Sequence, residues 1–442
     1  MTFVRPEGGG AEWVGPARHC GARLRLPAPS VLPLIVVRTG REPPGFSQVR
    51  GQPATGRGPQ LLQTEEGAPM ETTERAGLDA FFGKITATFA PSERPSSLLI
   101  THLLPERPSF VEAVGKVTQL RAVLPKPKSI HASARREIER AHPCDELSRE
   151  LFSDPDTAVS YLENRAAGEQ LVLLDVGGYF APALDAICER FSGTILGVVE
   201  DTENGHRRYA ERDKLPCPVI SVARSPLKEP EDFLVGQSVV FSTEALLRQR
   251  NDILHGRPAL VIGFGKLGSS IARLLHVKGV RVIVYDVNPV RRAQAMSQGF
   301  EVARDRDQAI ATAGLVLCAT GQLSLRGEDF PQLKNGAYVA TVTSSEDELE
   351  LSGLPSGYTR DSAGEHVTCY STRGHYFYLL NGGEAVNFIH GASVGPFIAL
   401  VQGELLAGAA KLARGDLDSA MHEVSTADRE AIAAAWLHYY NR

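Results

Sequence analysis

Apolar and polar positions along this chain follow two rhythms that take turns. Short, nearly unbroken apolar runs, "SSLLITHLL" (96–104), "RAVLPKPKSI" (121–130), "QLVLLDVGG" (170–178) and "TILGVVED" (194–201), read as buried strands. Between them "SFVEAVGKVTQL" (109–120), "DTAVSYLENRA" (156–166) and "APALDAICERF" (181–191) carry helical spacing. Strands alternating with helices of this length imply a parallel sheet covered on both faces. A polar stretch with prolines, "SVARSPLKEPEDFLVGQS" (221–238), reads as the link to a second unit. There "FSTEALLRQRNDIL" (241–254) predicts a helix with Ser242 or Thr243 as N-cap. Strand 259–262, helix 268–278, strand 280–286 and helix 289–298 follow, then strands at "EVARD", "LVLCATG" and "AYVATVT", six or so in all. The segment 385–413 returns through a loop to a long apolar helix, and a shorter helix ends the chain.

The first 69 residues break this pattern. They contain no Lys, Asp or Asn, and Gly and Pro make up nearly a third of them. The run "VLPLIVV" lies too far from the start, and is too interrupted by Pro, for a secretory signal. Ordinary amphipathic patterning begins at Met70, so 1–69 reads as a disordered or spurious extension and Met70 as the start of the folded protein.

Over the whole chain, 442 residues, 43% of them hydrophobic and 22% charged, allow two or three domains with real cores. The net charge of −5 gives no electrostatic reason to expect nucleic acid or an anionic membrane as partner. Six scattered cysteines form no CxxC or Cys/His cluster, which fits reduced thiols in a cytoplasm and no metal site. No apolar run reaches the roughly 20 residues that a membrane helix needs.

The strongest chemical signal is Gly263-x-Gly265-x-x-Gly268, which follows a strand and opens a helix. The first glycine permits the turn, the second lets backbone approach a pyrophosphate, and the third lets helix and strand pack closely. Asp286 closes the next strand, where a carboxylate accepts ribose hydroxyls, so the pattern predicts a dinucleotide. A carboxylate there favours NAD over NADP, although Arg291 and Arg292 stand near enough to leave NADP open.

Residues 90–415 resemble the S-adenosyl-L-homocysteine hydrolase family, and this chain is identified as a divergent member. The likeness rests on "FGKLGSSIARLLHVKGVRVIVYDVNPVRRAQAMSQGFEV", on "ILGVVEDTENG" beside the family's Glu-Glu-Thr-Thr-Thr-Gly, and on "LDVGG" beside its Asp-Asp-Gly-Gly. It implies an α/β chain of two parallel-sheet, Rossmann-like domains: a substrate-binding domain over 70–235 and a doubly wound NAD-binding domain over 236–386. Residues 387–442 are then helices returning to the substrate domain. It also implies a cycle in which bound NAD oxidises the ribose 3′-hydroxyl of S-adenosylhomocysteine or a related adenosyl thioether. Elimination and hydration at C5′ follow, and the hydride is returned.

Residue by residue, the resemblance makes His102 a proton carrier near the 5′ leaving group and Glu106 the partner of the adenine amine. Lys228 and Asp232 reproduce a Lys-x-x-x-Asp that sits on the ribose hydroxyls, with Lys228 as base once its pKa is lowered. Asp201 stands where the family has a glutamate. Thr202, Thr320 with Gly321, and Asn387 match positions beside the nicotinamide half of the cofactor.

Departures are numerous. Val176 replaces a substrate-site aspartate, leaving Asp175 on the other side of its strand, while Phe233 replaces an asparagine at the cofactor. Ser344 and Val394 replace histidines, with His390 close to the second, and Leu104 replaces a threonine. The family's tail, with a lysine and a tyrosine reaching a neighbouring protomer, is not recognisable in "AAWLHYYNR". Three readings follow. The first is an adenosylhomocysteinase-like enzyme. The second is an NAD-dependent dehydrogenase or epimerase of a modified nucleoside, and the third a non-catalytic NAD- or adenosine-binding relative. All share a small adenosine-type ligand, and the resemblance implies a homo-oligomer, a dimer or a tetramer.

Overall fold

In the computed structural model, which describes residues 70–342, 348–390 and 394–441, two parallel sheets follow one another along the chain. The expected extension (1–69) and Ser344 lie outside the described residues.

The first series runs α1 (Thr72–Phe89), β1 (Ser96–Leu103), α2 (Arg107–Val117), β2 (Gln119–Ile130), α3 (Ala132–Glu139), α4 (Arg149–Ser153) and α5 (Pro155–Ala166). It continues through β3 (Gln170–Asp175), α6 (Leu184–Arg190), β4 (Thr194–Glu200), α7 (Glu203–Ala210) and β5 (Val219–Ser221). Strand order is β2-β1-β3-β4-β5, every pair parallel. Successive strands therefore build outward in opposite directions from the gap between β1 and β3, and that reversal opens a crevice at the strands' carboxyl ends. His102 and Asp175 sit at those two ends. Pro125 and Pro127 fall in β2, an edge strand, where a missing N–H disturbs only the open side.

The second series begins with α8 (Glu229–Gln249) and runs through β6 (Ala259–Ile262), α9 (Lys266–Val277), β7 (Val282–Tyr285), α10 (Pro289–Ser297), β8 (Glu301–Val302) and α11 (Arg306–Thr312). Then come β9 (Leu315–Cys318), β10 (Ala337–Thr341), β11 (Thr359–Gly364), β12 (Val367–Thr372) and β13 (His375–Leu380). Six parallel strands in the order β8-β7-β6-β9-β10-β13 make the doubly wound sheet, with its switch point between β6 and β9. The pattern did not anticipate the antiparallel additions β11 and β12, which bring the sheet to eight strands. β11 is mostly exposed, so it carries little apolar signal.

The predicted linker at 221–238 is a correction. α8 starts at Glu229 and continues unbroken to Gln249, so the expected boundary at 235/236 falls inside a helix. Pro230 lies in its first turn, where a missing N–H costs nothing. Ser242 and Thr243 are buried in mid-helix and cap no N-terminus. Gly236 lets α8 lie against α9: a Cβ there would come 2.5 Å from Cβ of Ser270. The Ser270 hydroxyl donates to the carbonyl of Phe233 at 2.6 Å and locks the pair.

The chain closes with α12 (Ile398–Leu412), β14 (Met421–His422) and α13 (Thr426–Tyr440). α12 packs with α1 and α2 in the core beneath the first sheet, and β14 adds a parallel strand beside β5. α13 matches α12 in length at 15 residues each, where a shorter helix was expected.

The turn after β4 is built round one buried carboxylate. Glu200 accepts from the amides of Gly177 (3.1 Å), Gly178 (2.9 Å) and Thr202 (2.6 Å) and from the Thr202 hydroxyl (2.7 Å). A Cβ on Gly205 would lie 2.1–2.3 Å from that carboxylate. Gly205→Ala must therefore push Glu200 off its donors. A loss of about 2–4 kcal/mol is expected, read as a lower urea midpoint; an unchanged midpoint would contradict this account of the turn.

Candidate functional site

The glycine turn lies at the end of β6. Gly263 has φ +98°, and a Cβ on it would strike the carbonyl of Ala319 at 2.6 Å. A Cβ on Gly268 would meet the carbonyl of Gly263 at 1.9 Å, so only glycine lets helix and strand approach this closely. A Cβ on Gly265 would meet nothing within 4 Å, and Gly265 lines a cavity of about 2220 Å³. That open cradle at a helix N-terminus fits a pyrophosphate. Asp286, at the end of β7, accepts from the amides of Phe264 (2.7 Å) and Asn288 (2.8 Å), and its remaining lone pairs suit ribose hydroxyls. Gly263, Gly268 and Asp286 stand behind the cavity wall rather than on it, whereas Arg291 is part of it.

The same cavity is lined by His102, Glu106, Asp201, Thr202, Lys228, Asp232, Thr320 and Asn387. Nine of the twelve expected site residues thus share one wall, Gly265 among them. Asn387 is 4% exposed, and among the described residues its Oδ1 has no hydrogen-bond partner. The hydroxyls of Thr202 and Thr320 are committed to local bonds, to Glu200 and to the carbonyl of Gln322. They offer the cavity position rather than a free donor.

Lys228 is held differently from the expected pairing. Its ammonium donates to Asp201 Oδ1 at 2.9 Å and Glu231 Oε2 at 3.1 Å. Asp232 instead pairs with Lys266 at 3.0 Å. Lys266 also donates to the carbonyl of Ala223, so the cofactor turn is tied directly to the segment that leads from β5. Nor is the Lys228 pKa lowered. Burial pulls it down, but Asp201, Glu231 and Asp232 together outweigh burial and hold it above the ordinary amine value. Lys228 is a cation here, not a free base. Glu231 is also shifted upward, pushed to about 7 by burial and by Asp201 and Asp232 against the pull of Lys228.

His102 pairs its Nδ1 with the Ser129 hydroxyl and lies against the Phe388 ring, centroids 5.5 Å apart. Burial, then Lys126, Arg107 and Lys228, push its pKa well below the ordinary imidazole value, so the ring is neutral at physiological pH. Lys126 stands between this histidine and the β3 end. Burial lowers its pKa to about 8, although Glu200, Asp175 and Asp201 oppose the shift. Glu106 pairs with Arg107 at 3.2 Å. Asp175 also lines the cavity but is committed to the fold, accepting from the amides of Tyr179 and Phe180 and from the Tyr209 hydroxyl. Val176 is buried, Phe233 is exposed, and His390 bonds Ser242 at 3.0 Å while lining the cavity with Val394.

Glu231 and Lys126 were not singled out from the sequence. The i, i+3 spacing of Lys228 and Glu231 is the signal for the first. No comparable signal marks Lys126, which reaches the cavity from an edge strand.

Residues 237–392 match the family profile described as S-adenosyl-L-homocysteine hydrolase, NAD binding domain. The chain is 32% identical over 227 residues to the adenosylhomocysteinase of Thermotoga maritima, covering 50% of this chain and 55% of that protein. It thus spans about half the length of that curated relative. Among solved structures it is similar to a dipicolinate synthase component from Bacillus halodurans, at 11% identity, TM-score 0.42, and coverage of 71% of this chain and 99% of that one. Phosphoglycerate oxidoreductase from Vibrio cholerae O395 matches at 14% identity and TM-score 0.37, over 60% of this chain and 78% of that one. NAD is the cofactor of the matched domain, and the open cradle at Gly265 fits it. Gly265→Val should fill that cradle, leaving the purified protein without the NAD that acid extraction recovers from the wild type; equal NAD content would contradict the assignment. Residues 237–392 are thus similar to the NAD-binding domain of S-adenosyl-L-homocysteine hydrolases, and half of the chain is similar to an adenosylhomocysteinase.

Proposed function

We propose that this protein is an NAD-dependent enzyme that oxidises the ribose 3′-hydroxyl of an adenosine-type nucleoside, of which S-adenosylhomocysteine or a related adenosyl thioether is the expected form. The observation that carries this reading is the Asp201–Lys228–Glu231 cluster, a buried ammonium between two half-buried carboxylates, which lines the same cavity as the Gly265 cradle. Bound NAD supplies the hydride acceptor.

Each side chain then has a definite task. Lys228, charged and fixed by two carboxylates, donates to the sugar oxygens and holds the ring in one orientation. It cannot also take a proton while it is an ammonium. Glu231, half-buried and titrating near neutrality, is the group suited to accept the 3′-hydroxyl proton. Asp201 keeps Lys228 in place when a hydroxyl displaces Glu231 from it. His102 presents Nε2, its other ring nitrogen being held by Ser129, and as a neutral imidazole it can take or return a proton at the 5′ side. Glu106 and Asn387 bind the base and the cofactor carboxamide respectively, the roles that the family resemblance implies. More of the surrounding wall is apolar than polar, which strengthens the charges set into it.

The test is stopped-flow absorbance at about 340 nm, where the reduced nicotinamide ring absorbs, after NAD-loaded protein is mixed with adenosine or S-adenosylhomocysteine. Wild type should show a rise whose rate increases with pH through about 7, because Glu231 must be ionised to accept the proton. Glu231→Gln should slow that rise by about a hundredfold or more and remove the pH dependence, with NAD content unchanged. No rise with either nucleoside would refute the proposal.

A further inference from the structure

Two of the lysines that line this cavity are in opposite conditions. Lys228 is held as a cation, whereas burial wins at Lys126 and brings its amine to about 8, within the range in which enzymes keep a lysine base. The backbone that carries Lys126 is irregular at this point. β1 pairs with β2 at Thr101–Pro125 and next at Leu103–Ile130, so two steps of β1 oppose five of β2. The surplus of β2 bulges, and it carries Lys126 between Pro125 and Pro127, whose rings fix the backbone on either side. Bulges of this kind re-aim side chains beside active sites. Lys126 is 8% exposed and reaches the cavity wall.

Its Nζ lies 3.5 Å from where a Cβ on Gly177 would stand and 5.9 Å from the centre of the Tyr179 ring. That places it at the turn after β3, next to Val176, which offers neither acid nor base. The Ser129 hydroxyl pairs with His102 Nδ1 and also donates to the Lys126 carbonyl at 3.4 Å, so histidine and lysine share one frame. On the other side stands Asp201, whose charge acts on Lys126 and whose carboxylate holds Lys228. In the nucleoside reading Lys228 holds the sugar oxygens and His102 serves C5′. C4′ is the carbon that joins C3′ to C5′, as Lys126 joins those two groups of side chains. Other bases nearby are occupied: Asp175 by two amides and Tyr209, and Asp201 by Lys228.

We propose that Lys126 is the base that removes the C4′ proton once C3′ is a ketone. The proposal rests on the nucleoside reading given above and adds to it the residue that carries the reaction past oxidation. The ketone acidifies the neighbouring C4′–H bond. That bond breaks, its proton goes to the Lys126 amine, and the electron pair moves onto the 3′ oxygen as an enolate. When C5′ bears a thioether, the pair then forms C4′=C5′ while the C5′–S bond breaks, and sulfur leaves with its bonding pair as a thiolate. Without a leaving group the ammonium returns a proton to C4′. In heavy water the amine carries two deuterons, so after it takes the C4′ proton most returns place deuterium on the carbon.

The test mixes full-length NAD-loaded protein with adenosine in heavy water, and reads the rise at about 340 nm and the loss of the H4′ proton NMR signal in one sample. Wild type should show both. Lys126→Met should slow H4′ exchange, relative to the rise, by about a hundredfold or more. Lys126→Arg keeps the positive charge yet cannot give up a proton, so it should slow exchange as much; a role for the charge alone would leave exchange intact in that variant. A further measurement needs no variant. In wild type, exchange relative to the rise should increase with pH through about 8, as the amine loses its proton. The groups that face Lys126 are Asp175 and Glu200 at the ends of β3 and β4, Asp201 beyond β4, Arg149 on α4, and His102 across Ser129. Exchange relative to the rise that is unchanged in Lys126→Met or Lys126→Arg, or that is flat with pH, overturns the proposal. So does a wild type that shows the rise and keeps its H4′ signal. If wild type shows no rise, the nucleoside reading itself fails, and this inference with it.

Discussion

The buried ion cluster at the head of α8 sets the terms for the rest of the site. Removing an ammonium and two carboxylates from water costs several kcal/mol per ion, and their mutual attraction repays this only with good geometry. Asp201 and Glu231 supply that geometry at 2.9 and 3.1 Å. Such a cluster is weak evidence for stability, since apolar packing of similar volume would serve a core as well or better. Its place on a cavity wall, one helix turn from the connection between two sheets, fits a binding and proton-handling role instead.

Both sheets aim their ligand-bearing ends at the same cavity because each reverses its winding there. β1, β3 and β4 deliver His102, Asp175 and Asp201 from one side. β6 and β9 deliver Gly265 and Thr320 from the other. Lys266 joins the two by binding Asp232 and the Ala223 carbonyl, so the cofactor turn and the substrate cluster share one fixed frame. A residue set drawn from such distant parts of the chain gains precision from that cross-tie.

Much of this was legible from residue pattern alone. Continuous apolar runs identify strands buried on two faces, and the three glycines keep their separate steric reasons in the structure. His102 and Asp201 came instead from the family resemblance, since an apolar run that stops marks a strand end without saying which residue there faces a ligand. The head of α8 was not legible. Prolines normally read as breaks, and only the first-turn position of Pro230 makes it compatible with a helix. Charge states were also hidden: whether Lys228 is pulled down by burial or held up by carboxylates depends on Glu231, whose side chain turns inward only because α8 already exists there.

The central claim is that Lys228 stays charged inside the cavity, so that it orients the sugar and a carboxylate takes the proton. Nitrogen-15 NMR of lysine-labelled, NAD-loaded protein, with the Lys228 signal assigned by its absence in Lys228→Arg, reads that charge directly. The account predicts an ammonium signal still present at pH 10, because the folded value lies above the ordinary 10.5. A Lys228 amine that loses its proton below pH 9 would contradict it and return the role of base to the lysine.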